Sequence, residues 1–152
     1  MGQTDLQFLA SQGILLTNYY ALTHPSEPNY ASVVGGDYFG IGDDNLHSIP
    51  LPVATVVDVL EEQGISWAEY QEDMPYSGFQ GFNYTNPVNN YVDYVRKHNP
   101  LVLFPSDVLT QILYDSITSN TSRLSNIKNF TVFQSDLAAR KLPQWYSPYF
   151  FY

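Results

Sequence analysis

The chain has 152 residues, with six Lys and Arg against 15 Asp and Glu, a formal net charge of −9. A surface this acidic offers no field for a nucleic-acid backbone or an anionic membrane, so neither is expected as a partner. With 44% hydrophobic and 14% charged residues the chain can bury a core, which excludes wholesale disorder. The lack of cysteine excludes disulfides and cysteine-ligated zinc.

The first ten residues, MGQTDLQFLA, have neither the basic start nor the apolar stretch of a signal peptide, and no apolar run can span a bilayer. Residues 5–12 read as a short helix with Leu6, Leu9 and Ala10 on one face and Gly13 as its stop. Residues 14–20 are rich in strand formers, and a Pro-punctuated turn then leads into a helix over 30–34, ended by Gly35-Gly36. Residues 40–45 are a loop. The clearest helix is 55–63, where Val56, Val57 and Leu60 keep helical spacing and Gly64 caps the end. A strand is expected over 65–70, and this repeated helix–Gly–strand step predicts a βαβ-type alternation.

Residues 73–90 are rich in Gly, Asn, Pro and Tyr and read as a long loop. Further on, short helices are expected over 89–97, 122–130 and 135–141, with a short strand over 130–133. The run from Trp145 to Tyr152 reads as an exposed aromatic tail. Three Asn-x-Ser/Thr sequons, at Asn83, Asn120 and Asn129, are candidate glycosylation sites and point to a secretory route.

The chemistry concentrates in His24-Pro25-Ser26-Glu27-Pro28-Asn29-Tyr30. Pro25 and Pro28 fix φ on both sides of Ser26, and Pro28 suits the first turn of a helix. Ser26 then lies just before a helix N-terminus, where free backbone N–H groups favour an anion. A hydroxyl held there can attack phosphorus while those donors and the Asn29 amide hold the phosphoryl oxygens. The same residues also read as an ordinary N-cap. His24 shapes the turn. His47, after Asp43-Asp44-Asn45, reads as part of a solvated turn without calcium-loop spacing. Glu69, Glu72 and Asp73 read as an acidic patch at a strand edge.

Taken together, HPSEPNYASVVGGDYFG, GISWAEYQEDMPYSGF, YVRKHNPLV, NIKNFTVFQSDL and LPQW resemble the fungal secreted acid phosphatase group of the phosphoesterase family, within the alkaline-phosphatase-like superfamily. The resemblance implies an α/β fold: part of an α/β/α sandwich with a mostly parallel central sheet. It implies hydrolysis of a small phosphate ester through a phosphoserine at Ser26, with Asn29 as a ligand of the phosphate oxygens. His98 would lie near the phosphate, stabilising charge or protonating the leaving alkoxide; a loop histidine is the equal alternative.

A divalent metal is also implied, held by an early Glu-Asn pair and a late Asp/His set. Neither falls in this sequence, which leaves a possible Ser26 contact alone. The chain is therefore expected to be an incomplete domain with family-like blocks at 13–103 and 113–145, an insertion at 104–112, an atypical stretch at 146–152, and little turnover of its own. A secreted or cell-wall setting follows from the same resemblance. The competing reading is a non-catalytic secreted binding or surface module that keeps part of the fold.

Overall fold

A computed structural model describes residues 3–49, 53–104, 117–118 and 120–149. Five helices and five strands follow in chain order among the described residues: α1 (Gln3–Gln12), α2 (Ser26–Gly35), α3 (Val56–Glu62), β1 (Trp67–Gln71), β2 (Asn83–Thr85), β3 (Val92–Val95), α4 (Thr121–Ser125), β4 (Ile127–Asn129), α5 (Phe130–Ala138) and β5 (Trp145–Tyr149). Two 3-10 turns, Arg96–His98 and Pro100–Leu103, follow β3.

The main sheet has the order β4-β1-β5, and β1 runs parallel to both neighbours. Its five residues are all buried. Alternation along a strand sends successive side chains to opposite faces. Tyr70 meets Phe133 of α5, with ring centroids 5.1 Å apart and nearly perpendicular. On the other face Trp67 donates its indole N–H to Glu61 of α3 at 3.0 Å, and Gln71 donates to the carbonyl of His98 at 3.2 Å. The sheet is thus covered on both sides, the α/β arrangement expected from the sequence.

The 55–63 helix forms as Val56–Glu62. Thr55 supplies its N-cap, and a capping box with Asp58 places the Thr55 N–H 2.7 Å from the carboxylate. Arg123 of α4 is buried and bonds Asp58 at 2.8 Å and Glu61 at 2.6 Å, which ties α4 to α3. Helix α2 packs on both 3-10 turns and on α3. Leu101, Val102, Leu103 and Phe104 fill the core beside Ala31, Val34 and Val57.

Several expected elements form differently. Residues 14–20 make no strand: Ile14 is 92% exposed and Leu15, Leu16, Tyr19 and Tyr20 are exposed with it. Strand-forming residues need a neighbouring ladder to pair with, and none of the described strands runs beside them. Residues 89–97 are β3 and a 3-10 turn rather than a helix, because Tyr94 pairs with Tyr84 in an antiparallel hairpin with β2. That hairpin also interrupts the expected 73–90 loop. The 122–130 helix stops at Ser125 and gives way to β4, while the expected 130–133 strand is the first turn of α5. Pairing of Ile127, Lys128 and Asn129 with β1 decides both.

Trp145–Tyr149 is not a loose tail. It forms β5, and the Tyr146 ring lies 6.2 Å from Tyr70 and 6.0 Å from Phe133. Of the expected insertion, Phe104 is a buried core residue, while 105–112 lie outside the described residues, as do 150–152 of the aromatic run.

Two outcomes follow. A Cβ added at Gly35 would stand 2.7 Å from the Phe39 ring and 2.9 Å from the buried Phe104 ring. Gly35→Ala is expected to cost about 1–3 kcal/mol by overpacking, measured by denaturant unfolding. Glu69 on β1 is pushed up to about 8 by burial, against the opposing bonds from Gln71 and the Leu101 N–H. A carboxyl whose folded pKa is raised binds its proton more tightly when folded. Its contribution is full below the unfolded value near 4.5 and is lost as pH rises through about 8. Melting temperature is expected to fall across that window, and Glu69→Gln is expected to flatten the fall.

Candidate functional site

Helix α2 begins at Ser26, so the serine is the first helical residue rather than the residue before the helix, and Pro25 holds the cap position. The His24–Pro25 peptide is cis. The turn is fastened by Asn29. Its Oδ1 accepts the Leu22 N–H at 2.8 Å and the Thr23 N–H at 3.1 Å, while its Nδ2 donates to the Thr23 and Pro25 carbonyls at 2.8 Å each. Both amide hydrogens are spent on the turn. The role this geometry gives Asn29 is therefore a brace for the Ser26 backbone, and a phosphate oxygen would have to displace a carbonyl to reach it.

Ser26 is half-buried, and its hydroxyl makes no hydrogen bond among the described residues. Next to it, the Glu27 N–H donates to Asp44 Oδ1 at 3.0 Å, and Asp44 Oδ2 accepts from Lys97 Nζ at 2.8 Å. The Asp43-Asp44-Asn45 loop, expected with His47 to be a solvated turn, thus docks a carboxylate on the start of α2. Burial opposes ionisation of Asp44, but Lys97 and the Glu27 N–H outweigh it and hold its pKa below the ordinary carboxylate range. In the same loop His47 lies 2.6 Å from Asp43. The Asn45 N–H, with His47 second, lowers the Asp43 pKa.

Glu27 points the other way. Its side chain is 1% exposed, its Oε1 has no hydrogen-bond partner, and burial raises its pKa against the pull of His47 and Arg96. Arg96 is buried too, donating to the Val102 carbonyl at 2.6 Å and the Gln80 carbonyl at 3.2 Å. It anchors the 3-10 turn that presents Lys97 and His98.

His98 lies against α2. Its ring centroid is 5.4 Å from that of Tyr30, tilted by 59°. Tyr30 is four residues on from Ser26 and shares its helix face. Burial first, and Lys97 second, hold the His98 pKa below the usual histidine value. His24 is exposed beside the turn.

Ser26 and Asn29 thus share one turn with His98 packed one helical turn away, and sequence reasoning missed Lys97 and Asp44. The adjacency Lys97-His98 was the available signal. The partner of Lys97 lies 53 residues upstream and left no trace in spacing.

The acidic group at 69–73 is not a strand-edge patch. Glu69 lies inside the central strand, while Glu72 and Asp73 follow β1 and line, with Asp93, Asn129 and Phe130, a cavity of about 390 Å³. Burial, with Glu72 and Asp93, raises the Asp73 pKa. No group of three or more His, Asp and Glu side chains among the described residues is placed to hold a metal ion. Among the sequons, Asn83 is exposed on β2, Asn120 caps α4 by accepting the Ser122 and Arg123 N–H groups, and Asn129 accepts the Thr131 hydroxyl at 2.8 Å. No helix among the described residues is long and apolar enough to cross a membrane.

Comparison with known proteins finds relatives that match most of this chain. The chain is 59% identical over 141 residues to an acid phosphatase of Aspergillus fumigatus, covering 93% of this chain and 29% of that protein. It is 54% identical over 144 residues to a probable acid phosphatase of Kluyveromyces lactis, covering 95% of this chain and 32% of the relative. A phosphatidylinositol-3-phosphatase of Mycobacterium tuberculosis is 30% identical over 96 residues, 63% of this chain and 30% of that protein. The chain spans about a third of the length of these curated relatives. The profile of the phosphoesterase family matches residues 2–149, and the chain belongs to that family.

Proposed function

We propose that this chain carries the nucleophile segment of a phosphate-ester hydrolase of the acid phosphatase type, acting on small phosphate esters. The observation that carries the reading is the Ser26 hydroxyl, unengaged at the start of a braced helix and beside a turn that presents Lys97 and His98. The acid phosphatase names of the relatives support the reaction class.

In this reading Ser26 Oγ attacks phosphorus in line and the ester P–O bond breaks. The serine proton passes to solvent, and the departing alkoxide takes a proton from His98. Water then attacks the phosphoserine, releasing inorganic phosphate and restoring the hydroxyl. Asn29 holds the turn in place, so that Ser26 meets the ester without reorganising its backbone. An extracellular or cell-wall setting belongs to the same proposal. The exposed sequon at Asn83 supports it.

The test is hydrolysis of a chromogenic phosphate monoester at acid pH by the chain and by Ser26→Ala. The chain is expected to turn over slowly and Ser26→Ala not at all, with phosphoserine at Ser26 of the unsubstituted chain detected by mass spectrometry after acid quench. Hydrolysis that survives Ser26→Ala removes the serine from the mechanism.

The lowered pKa of His98 sets a second expectation. A proton donor must be protonated to act, so its contribution is full at low pH and fades as pH rises through a value below 6.5. His98→Gln is expected to cost roughly a hundredfold at acid pH and to remove that descending limb from the rate profile.

A further inference from the structure

The start of α2 is short of anion donors. A helix N-terminus ordinarily offers several free N–H groups. Here Pro25 and Pro28 have none, and the Glu27 N–H is already bonded to Asp44. The Ser26 N–H remains, one donor for a group that bears two negative charges at neutral pH. Asn29 has no amide hydrogen to add. A side-chain cation can add neutralising charge there, and Lys97 is tethered at this spot.

Lys97 Nζ lies 2.8 Å from the Asp44 carboxylate whose other oxygen bonds the residue after Ser26. The lysine reaches across from the 3-10 turn, and its side chain is 31% exposed, so the ammonium is held in position and open to ligand. A cavity of about 210 Å³ adjoins it, lined by Asp44, Phe82, Asn83, Val95 and Lys97. Phe82 and Val95 give it an apolar wall. Arg96, the neighbouring cation, is buried on backbone carbonyls and is spent on the fold.

We propose that Lys97 contacts the phosphate at the Ser26 site, with Asp44 fixing the lysine beside the serine. The inference rests on the serine reading above. An ammonium with three rotatable donors can keep one hydrogen on Asp44 and turn the others to phosphate oxygens. The pairing explains why a carboxylate sits at the helix end that an anion should occupy. Asp44 carries no net repulsion so long as Lys97 accompanies it, and burial raises the Glu27 pKa and so disfavours a further negative charge beside the turn.

The experiment is a titration of the full chain with inorganic phosphate, read from the backbone amide resonances of Ser26 and Glu27. The wild-type amides are expected to shift to saturation. Lys97→Arg is expected to bind within about threefold of wild type, and Lys97→Gln at least about tenfold more weakly, with the β1 amides unmoved as evidence of an intact fold. Wild-type affinity in Lys97→Gln, or no response of the Ser26 amide in the wild type, overturns the proposal. Ser26→Ala keeps its N–H and is expected to bind phosphate. If that variant binds phosphate and still hydrolyses esters, the serine reading falls and Lys97 stands; if Lys97→Gln binds normally while Ser26→Ala is inert, the reverse holds.

Discussion

A strand bonded on both edges and buried on both faces cannot give up a polar side chain to water, and β1 carries Glu69 and Gln71 in that position. Each must find partners inside the protein or remain neutral. Gln71 donates to Glu69 and to the His98 carbonyl, and Glu69 receives the Leu101 N–H. Those bonds hold the two 3-10 turns against the sheet. The turns in turn pack on α2, so the geometry at Ser26 is inherited from the polar demands of a strand on the other side of the core.

This dependence gives the molecule a pH character. Glu69 and Glu27 are buried carboxyls whose pKa values rise, so both favour the protonated form as pH falls. His98 shifts downward, so it requires a more acidic medium to carry a proton. Burial thus favours the neutral form at all three groups, although the residues involved lie in different layers. Asp43, Asp44 and Asp136 shift the opposite way and keep their charges because each meets a hydrogen-bond donor.

The elements that were legible in the sequence are those decided locally. The helix Val56–Glu62 has its cap, its periodicity and its Gly stop within ten residues, and it forms nearly as written. β1 follows from a run of apolar and aromatic residues after Gly64. The misread elements are those settled by pairing. Residues 92–95 and 127–129 have enough helical character to read as helix, and each becomes a strand because a partner strand lies alongside. Residues 14–20 have the composition of a strand, and none of the described strands pairs with them.

The sequence by itself determined the α/β class, the serine turn and its family, because prolines, glycines and side-chain chemistry act over a few neighbouring residues. It also placed His98 as a candidate from a matching block. Only the tertiary structure decided what the turn's polar groups do. Asn29 closes on its own loop, and Asp44 bridges α2 to Lys97 across 53 residues of chain. The physical reason is that a side-chain hydrogen bond or ion pair depends on distance in space. Spacing along the chain reports that distance only within a helix, a strand or a turn.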